Sequence, residues 1–226
     1  MNVLVLCGGA GSRATHLPPG TPKFLTPVGD ATVGDLLLGY LGRQGAASVV
    51  LACAVGREAI LAHTKGQVII TDWLGYEHIR GEKKRAYPFH LALDLRHEAR
   101  GTVQAIRWAL GARLAPGASL APPLVVVNGD TLLNISLGAL FRKFSHRSGV
   151  TVVYDTQGTP SGVRILDATA VAELVASGAV NIEDHEWVCQ VHPCYLPPRY
   201  FLDVGTPAGA AAAEGWVREH LTEDVS

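Results

Sequence analysis

Short apolar runs alternate with longer segments of helical period along this chain, the pattern of βα units around a mainly parallel sheet. VLVLC (3–7) reads as the first strand, SVVLACA (48–54) as the second and QVIIT (67–71) as the third. PLVVVNGD (123–130), VTVVYD (150–155), GVRIL (162–166) and YFLDVGTP (200–207) read as further strands, several with a turn attached. Helices are predicted over 35–45, with Asp30 or Thr32 as the start signal and Gly45 as the stop, and over 56–64. Others fall at 102–114, 136–146, 168–177 and about 207–220. Ala105, Trp108, Ala109 and Ala112 recur at helical spacing and form a core stripe. The stretch 72–100, with its basic run GEKKRAY, reads as a solvated loop, and 178–199 follows no legible period. No internal repeat or long linker divides the chain. The expectation is one α/β domain over 1–226, with parts 1–150 and 151–226, the second ending in a helix.

Composition narrows the class. The 226 residues are 48% hydrophobic and 17% charged, with a formal net charge of −1. That is a globular profile, with no bulk field to favour nucleic acid or an anionic membrane. No apolar run approaches the 18 or so residues of a membrane span, and MNVLVLC lacks the basic start of a signal peptide. Cys7 and Cys53 sit in strand-like runs, and the four cysteines follow no disulfide framework. They read as reduced thiols of a cytoplasmic protein. CQVHPC (Cys189, His192, Cys194) has the look of a metal motif but no second ligand cluster nearby, so packing or loop thiols are expected there.

The chemistry concentrates in CGGAGSRATHLPPGTPKFL (7–25). Gly9-x-Gly11-x-x-Ala14 after a strand loosely fits a dinucleotide fingerprint, which would make the chain an oxidoreductase. That fingerprint needs a helix to begin inside the loop. Pro18, Pro19 and Pro22 follow almost at once, and a proline inside a helix costs about 3 kcal/mol. The segment therefore stays a loop, whose glycine backbone can approach phosphate oxygens closely. Arg13 can chelate two of those oxygens and Lys23 adds a compact point charge. A basic surface loop with structural glycines is the plainer alternative.

CGGAGSR followed by TPKFLTPVG resembles the signature of the sugar-1-phosphate nucleotidyltransferases. Four further stretches recur in that family's order: YLGRQGAASVVLA, EARGTVQAI, VVVNGD and YFLDVGTP. The resemblance spans roughly 1–150 and 195–220 and is nearest to the heptose- or mannose-1-phosphate guanylyltransferase branch. It implies a Rossmann-like three-layer α/β/α nucleotidyltransferase fold and a Mg²⁺-dependent enzyme. The reaction would join a nucleoside triphosphate, GTP by preference, to a sugar 1-phosphate, giving an NDP-sugar and pyrophosphate. Synthesis of an NDP-hexose with dTTP, UTP or CTP is the alternative within the class. A non-catalytic nucleotide- or sugar-phosphate-sensing domain is the alternative outside it.

By the same resemblance Arg13 and Lys23 are catalytic. Cys7, Gly8, Gly9, Ala10, Gly11, Ser12 and Arg13 contact the nucleotide, with Gly101, Thr102, Asn128 and Gly129, and Glu98 nearby. Lys23, Ser161, Gly162 and Glu183 meet the sugar phosphate. Thr102 could equally cap the 102–114 helix, and Glu183 could be an ordinary acidic residue at a helix start. Asp130 and Asp203 each follow an apolar strand and should lie at the carboxyl edge of the sheet, where open α/β sheets bind ligands. Together they would suit Mg²⁺, which takes one or two carboxylates plus phosphate oxygens. Asn128-Gly129-Asp130 could instead be a plain turn, and Asp203 a helix cap. Many relatives insert a hairpin between 155 and 163, where this chain has only TQGTPSG. Sugar recognition is therefore either minimal or supplied partly by the second subunit of a homodimer.

Overall fold

The computed structural model describes residues 1–9, 14–64, 69–71, 76–78, 90–94, 101–111, 120–186 and 190–221. The first strand, β1 (Asn2–Leu6), leads into the glycine turn, and a single 3-10 turn at Lys23–Leu25 returns the chain. A small ribbon, β2 (Pro27–Val28) and β3 (Ala31–Thr32), precedes α1 (Val33–Arg43). Of the two start signals, Thr32 is the one used: its hydroxyl accepts from Asp35 N and the Asp35 carboxylate accepts from Thr32 N, a reciprocal capping box. β4 (Ser48–Ala52), α2 (Arg57–His63), β5 (Ile69–Thr71), β6 (Tyr76–His78) and β7 (His90–Asp94) complete the first half. α3 (Thr102–Gly111), β8 (Leu124–Asn128), β9 (Thr131–Leu133) and α4 (Leu137–Phe144) follow. The chain closes with β10 (Val150–Asp155), β11 (Pro160–Leu166), α5 (Ala168–Ala176), α6 (Ile182–Glu186), β12 (Val191–Leu196), β13 (Phe201–Asp203) and α7 (Pro207–His220).

Nine strands form one sheet in the order β12-β10-β11-β8-β1-β4-β7-β5-β6. β1 runs parallel to both β4 and β8, β7 parallel to β4 and β5, and β12 parallel to β10. Two strands are exceptions: β11 is antiparallel to β8 and β10, and the edge strand β6 is antiparallel to β5. The mainly parallel α/β fold expected from the sequence is the one observed. β4 is buried at every position because helices cover both faces of a parallel sheet, so its sequence is continuously apolar rather than alternating. Successive residues still serve opposite layers. Val3, Val5, Val125 and Val127 pack with Leu37 and Leu41 of α1. Leu4, Val126 and Val50 pack with Ile106 of α3 and Leu174 of α5.

One expectation about the sheet is corrected. β13 does not join it but pairs antiparallel with β9 in a separate two-stranded ribbon, Asp203 opposite Thr131. β13 finds its apolar contacts away from the main sheet, where this ribbon is buried under α7 through Leu132, Val204 and Ala213. The unread stretch 178–199 holds α6 and the edge strand β12. Its candidate metal motif stays unassembled where it is described: His192 Nε2 bonds Ser148 O at 2.8 Å, Cys194 is half-buried, and Cys189 lies outside the described residues. The end of the 102–114 helix, the start of the third strand and most of 72–100 also lie outside them.

Candidate active site

Leu6 is in register with Ala52 on one side and Asn128 on the other, so β1, β4 and β8 all end at one edge of the sheet. Three turns leave that edge together, Cys7–Gly9, Cys53–Gly56 and Gly129–Asp130. Close packing there demands glycine. A Cβ on Gly129 would stand 2.9 Å from Cys7 Sγ and 3.0 Å from Leu6 O, while Gly129 N–H donates to Leu6 O at 3.0 Å. A Cβ on Gly8 would press on Ala54 at 3.1 Å. Gly129 and Asp130 therefore form the turn that the residue pattern allowed, and that turn also aims Asp130 into a cavity.

The cavity has a volume of about 270 Å³ and is lined by Leu6, Cys7, Gly9, Lys23, Phe24, Thr102, Asn128, Gly129, Asp130 and Glu183. Lys23 enters it because the 3-10 turn is anchored by Phe24, which is 1% exposed. Gly34 of α1 gives that ring its seat: a Cβ there would overlap three ring carbons. Lys23 Nζ donates to Asp130 Oδ2 at 2.9 Å, with both side chains largely buried.

Asp203 arrives by a different route. The ribbon sets β13 against β9, directly after Asp130, and Val204 N–H donates to Asp130 O at 2.8 Å. Asp203 does not cap α7: Thr206 does, its hydroxyl accepting from Gly209 N at 3.1 Å. Asp203 Oδ1 accepts instead from Gly205 N at 2.7 Å, which turns the carboxylate back toward Asp130. Gly205 is the hub. The place a Cβ would take there lies 2.6 Å from Asp130 Oδ2, 2.7 Å from Lys23 Nζ and 2.9 Å from Asp203 Oδ1. Two carboxylates and an ammonium thus converge on a space that only a missing side chain leaves open. Among the described residues no group of three His, Cys, Asp or Glu side chains assembles a closed metal site. Two carboxylates around an open space suit Mg²⁺, which keeps water or phosphate oxygens as its remaining ligands.

The remaining expected site residues divide. Gly101, with φ +90°, abuts the Val180 carbonyl, and Thr102 Oγ1 accepts from Ile182 N at 2.7 Å, so this pair docks α6; of the two, Thr102 lines the cavity. Asn128 crosses the cavity floor over Gly162, where a Cβ would stand 2.7 Å from Asn128 Nδ2. Ser161 is buried, its hydroxyl accepting from Val163 N at 3.3 Å, and is not among the lining residues. Glu183 lines the cavity and is bound by Arg164, Nη2 to Oε1 at 2.7 Å. Ala10, Gly11, Ser12, Arg13 and Glu98 lie outside the described residues.

Burial pushes the Cys7 thiol well above its usual pKa, with further rises from the adjacent Cys53 and the Asp130 charge. Cys7 is therefore a neutral wall of the cavity and no nucleophile. Sequence reasoning missed Arg164, Phe24 and Gly205. A signal existed for the first, a lone charge inside the apolar run GVRIL. None marked the other two, whose roles depend on contacts far along the chain.

No family model matches the chain. Over 140 residues the chain is 26% identical to D-glycero-alpha-D-manno-heptose 1-phosphate guanylyltransferase of Campylobacter jejuni, a match covering 62% of this chain and 52% of that protein. The chain thus spans about half the length of the curated relative it matches. HddC from Yersinia pseudotuberculosis, complexed with GMP-PN, superposes with a TM-score of 0.70 at 17% identity, over 95% of this chain and 98% of its own. A putative glucose-1-phosphate thymidylyltransferase from Bacillus anthracis, in complex with a sucrose, gives 0.72 at 14% identity, over 100% of this chain and 96% of its own. At those identities the likeness is one of fold.

Proposed function

We infer that this chain, related in sequence and fold to the sugar-1-phosphate nucleotidyltransferases, transfers a nucleotidyl group from a nucleoside triphosphate to a sugar 1-phosphate and releases pyrophosphate. The observation that carries the reading is the convergence of Lys23, Asp130 and Asp203 beside Gly205, at the mouth of a glycine turn. Such a reaction brings two anions together, so alignment and charge neutralisation supply most of its rate. The sugar phosphate oxygen attacks the α-phosphorus while the bond to pyrophosphate breaks opposite it. The attacking oxygen is ionised near neutral pH and needs no general base.

Each group has a fitting role. The amides of Gly8 and Gly9, with Ala10, Gly11, Ser12 and Arg13 beyond them, would hold the departing pyrophosphate. Lys23 would reduce repulsion between the α-phosphate and the sugar phosphate. Asp130 and Asp203 would hold Mg²⁺, which would supply positive charge to offset that of the reacting phosphates. Lys23 Nζ lies against Asp130 Oδ2 at 2.9 Å, which supports a charge-neutralising role for the lysine at that spot. Asn128, Gly129, Gly101 and Thr102 would line the nucleoside side, and Ser161, Gly162 and Glu183 the sugar side.

The guanylyltransferase match favours GTP and a heptose or mannose 1-phosphate, and the thymidylyltransferase neighbour keeps dTTP as the second choice. Cytoplasmic action fits the free thiols Cys7, Cys53 and Cys194, and no helix among the described residues is long and apolar enough to cross a membrane. The test is pyrophosphate release with Mg²⁺ across GTP, dTTP, UTP, CTP and ATP, each paired with mannose, glucose and manno-heptose 1-phosphates. Release with one pair, abolished in Asp130→Ala and Asp203→Ala, is expected. Nucleotide binding without release for every pair would favour a sensing domain, and no binding would sink the reading.

A further inference from the structure

Arg164 stands on β11 opposite Val126 of β8, with a side chain only 2% exposed, and is the largest fully buried side chain among the described residues. Taking a guanidinium out of water is costly, and a well-packed apolar residue of similar volume usually serves stability as well or better. One partner of this buried charge, Glu183, is not itself buried. It is 53% exposed, belongs to α6 and accepts from Arg164 Nη2 at 2.7 Å. Held by a half-exposed carboxylate, a buried guanidinium is a costly way to add stability alone.

α6 has five residues, too few to hold a helix unaided. It is fastened by buried Ile182, by the Thr102 hydroxyl under Ile182 N–H, and by Arg164. Through that fastening Glu183 reaches the same cavity as Lys23, Asn128 and Asp130. A free carboxylate on that wall would repel both phosphates. Paired with Arg164, it is neutralised from below while its exposed side still accepts hydrogen bonds from neutral donors.

We propose that Arg164 is a positioning residue for sugar recognition, clamping Glu183 as an acceptor for free hydroxyls of the sugar 1-phosphate and cancelling the charge that would repel its phosphate. This rests on the nucleotidyl-transfer reading above. It makes this pair, rather than the shortened 155–163 connection, the element that selects the sugar.

The experiment measures pyrophosphate release by the full chain, varying each substrate in turn, for Glu183→Gln, Arg164→Met, Arg164→Lys and the Arg164→Met/Glu183→Gln double variant. Glu183→Gln keeps an acceptor for Arg164, and Arg164→Met leaves Glu183 solvated. KM for the sugar 1-phosphate should rise about tenfold in either single variant, while KM for the nucleotide stays within about twofold. The double variant should be no worse than the singles, because the two act as one unit. Arg164→Lys should recover part of the loss. An unchanged sugar KM, or both KM values moving together, overturns the proposal. If Arg164→Met does not fold by circular dichroism, Glu183→Gln decides alone, since its site is half exposed. A wild-type chain silent with every pair overturns the reaction itself and this proposal with it; an active one with an unmoved sugar KM overturns this proposal only.

Discussion

Lys23 Nζ and Asp130 Oδ2 meet at 2.9 Å across 107 positions of sequence. Two folding decisions make that contact. The 3-10 turn seats Phe24 under α1, and the Gly129 turn carries Asp130 off the end of β8. A third residue, Gly205, touches neither by a side chain yet leaves the room in which both meet Asp203.

Gly205→Ala separates site geometry from stability. The atoms its Cβ would crowd most are the far ends of Asp130, Lys23 and Asp203, which can swing aside. Thermal stability should hardly move, whereas displacement of aligned charges by about 1 Å costs on the order of a hundredfold in rate. Pyrophosphate release beside a melting curve checks this; full activity would mean that the three groups need not converge.

Gly34→Ala makes the opposite case. Alanine is favoured over glycine within a helix by about 1 kcal/mol. At this position its Cβ would overlap the ring of Phe24, which is 1% exposed and has nowhere to go. Overpacking of this kind costs about 1–3 kcal/mol, so net destabilisation should appear in urea unfolding. Activity should fall with it as Lys23 shifts. A variant more stable than the parent would refute the account of the Phe24 seat.

Asp35 ties stability to pH. Burial alone would raise its pKa, but bonds from the Thr32 hydroxyl and N–H, at 2.8 and 3.0 Å, and from His63 outweigh burial and hold it below the ordinary carboxylate value. A lowered native pKa stabilises above the unfolded value, and the benefit disappears as pH falls through the native one. Asp35→Asn should therefore cost about 1 kcal/mol or less at pH 7, with the gap from wild type closing in acid. Urea midpoints at pH 7 and pH 3 measure it, and an unchanged gap would rule out the linkage.

Cys7 should resist alkylation despite lining the cavity, because burial first, then Cys53 and Asp130, raise its thiol and leave no thiolate near neutral pH. Iodoacetamide at pH 8, followed by mass spectrometry, should spare Cys7 and the fully buried Cys53 until urea is added. Labelling of Cys7 in the native protein at the rate of a free thiol would contradict this.

Much of this was legible in the chain itself. β1, β4, β8 and β10 announce themselves as apolar runs, and α1 and α7 as periodic segments with a threonine cap and a glycine or proline in place. Prolines 18, 19 and 22 exclude a helix after the glycine turn by local sterics alone. Such signals act within a few residues, so reading them requires no knowledge of partners.

The rest came only with the tertiary structure. β9 and β13 are three residues each, too short for a period, and exist because they pair with one another under α7. Thr102 reads equally as a cap or a ligand in the sequence, which carries no sign that its hydroxyl accepts from Ile182 N–H, 80 positions on. Arg164 reads as one odd charge in a strand, and what justifies its burial lies on a helix 19 residues later. Local propensity chose the elements; the competition to bury apolar surface while leaving no charge unpaired chose which distant side chains would meet.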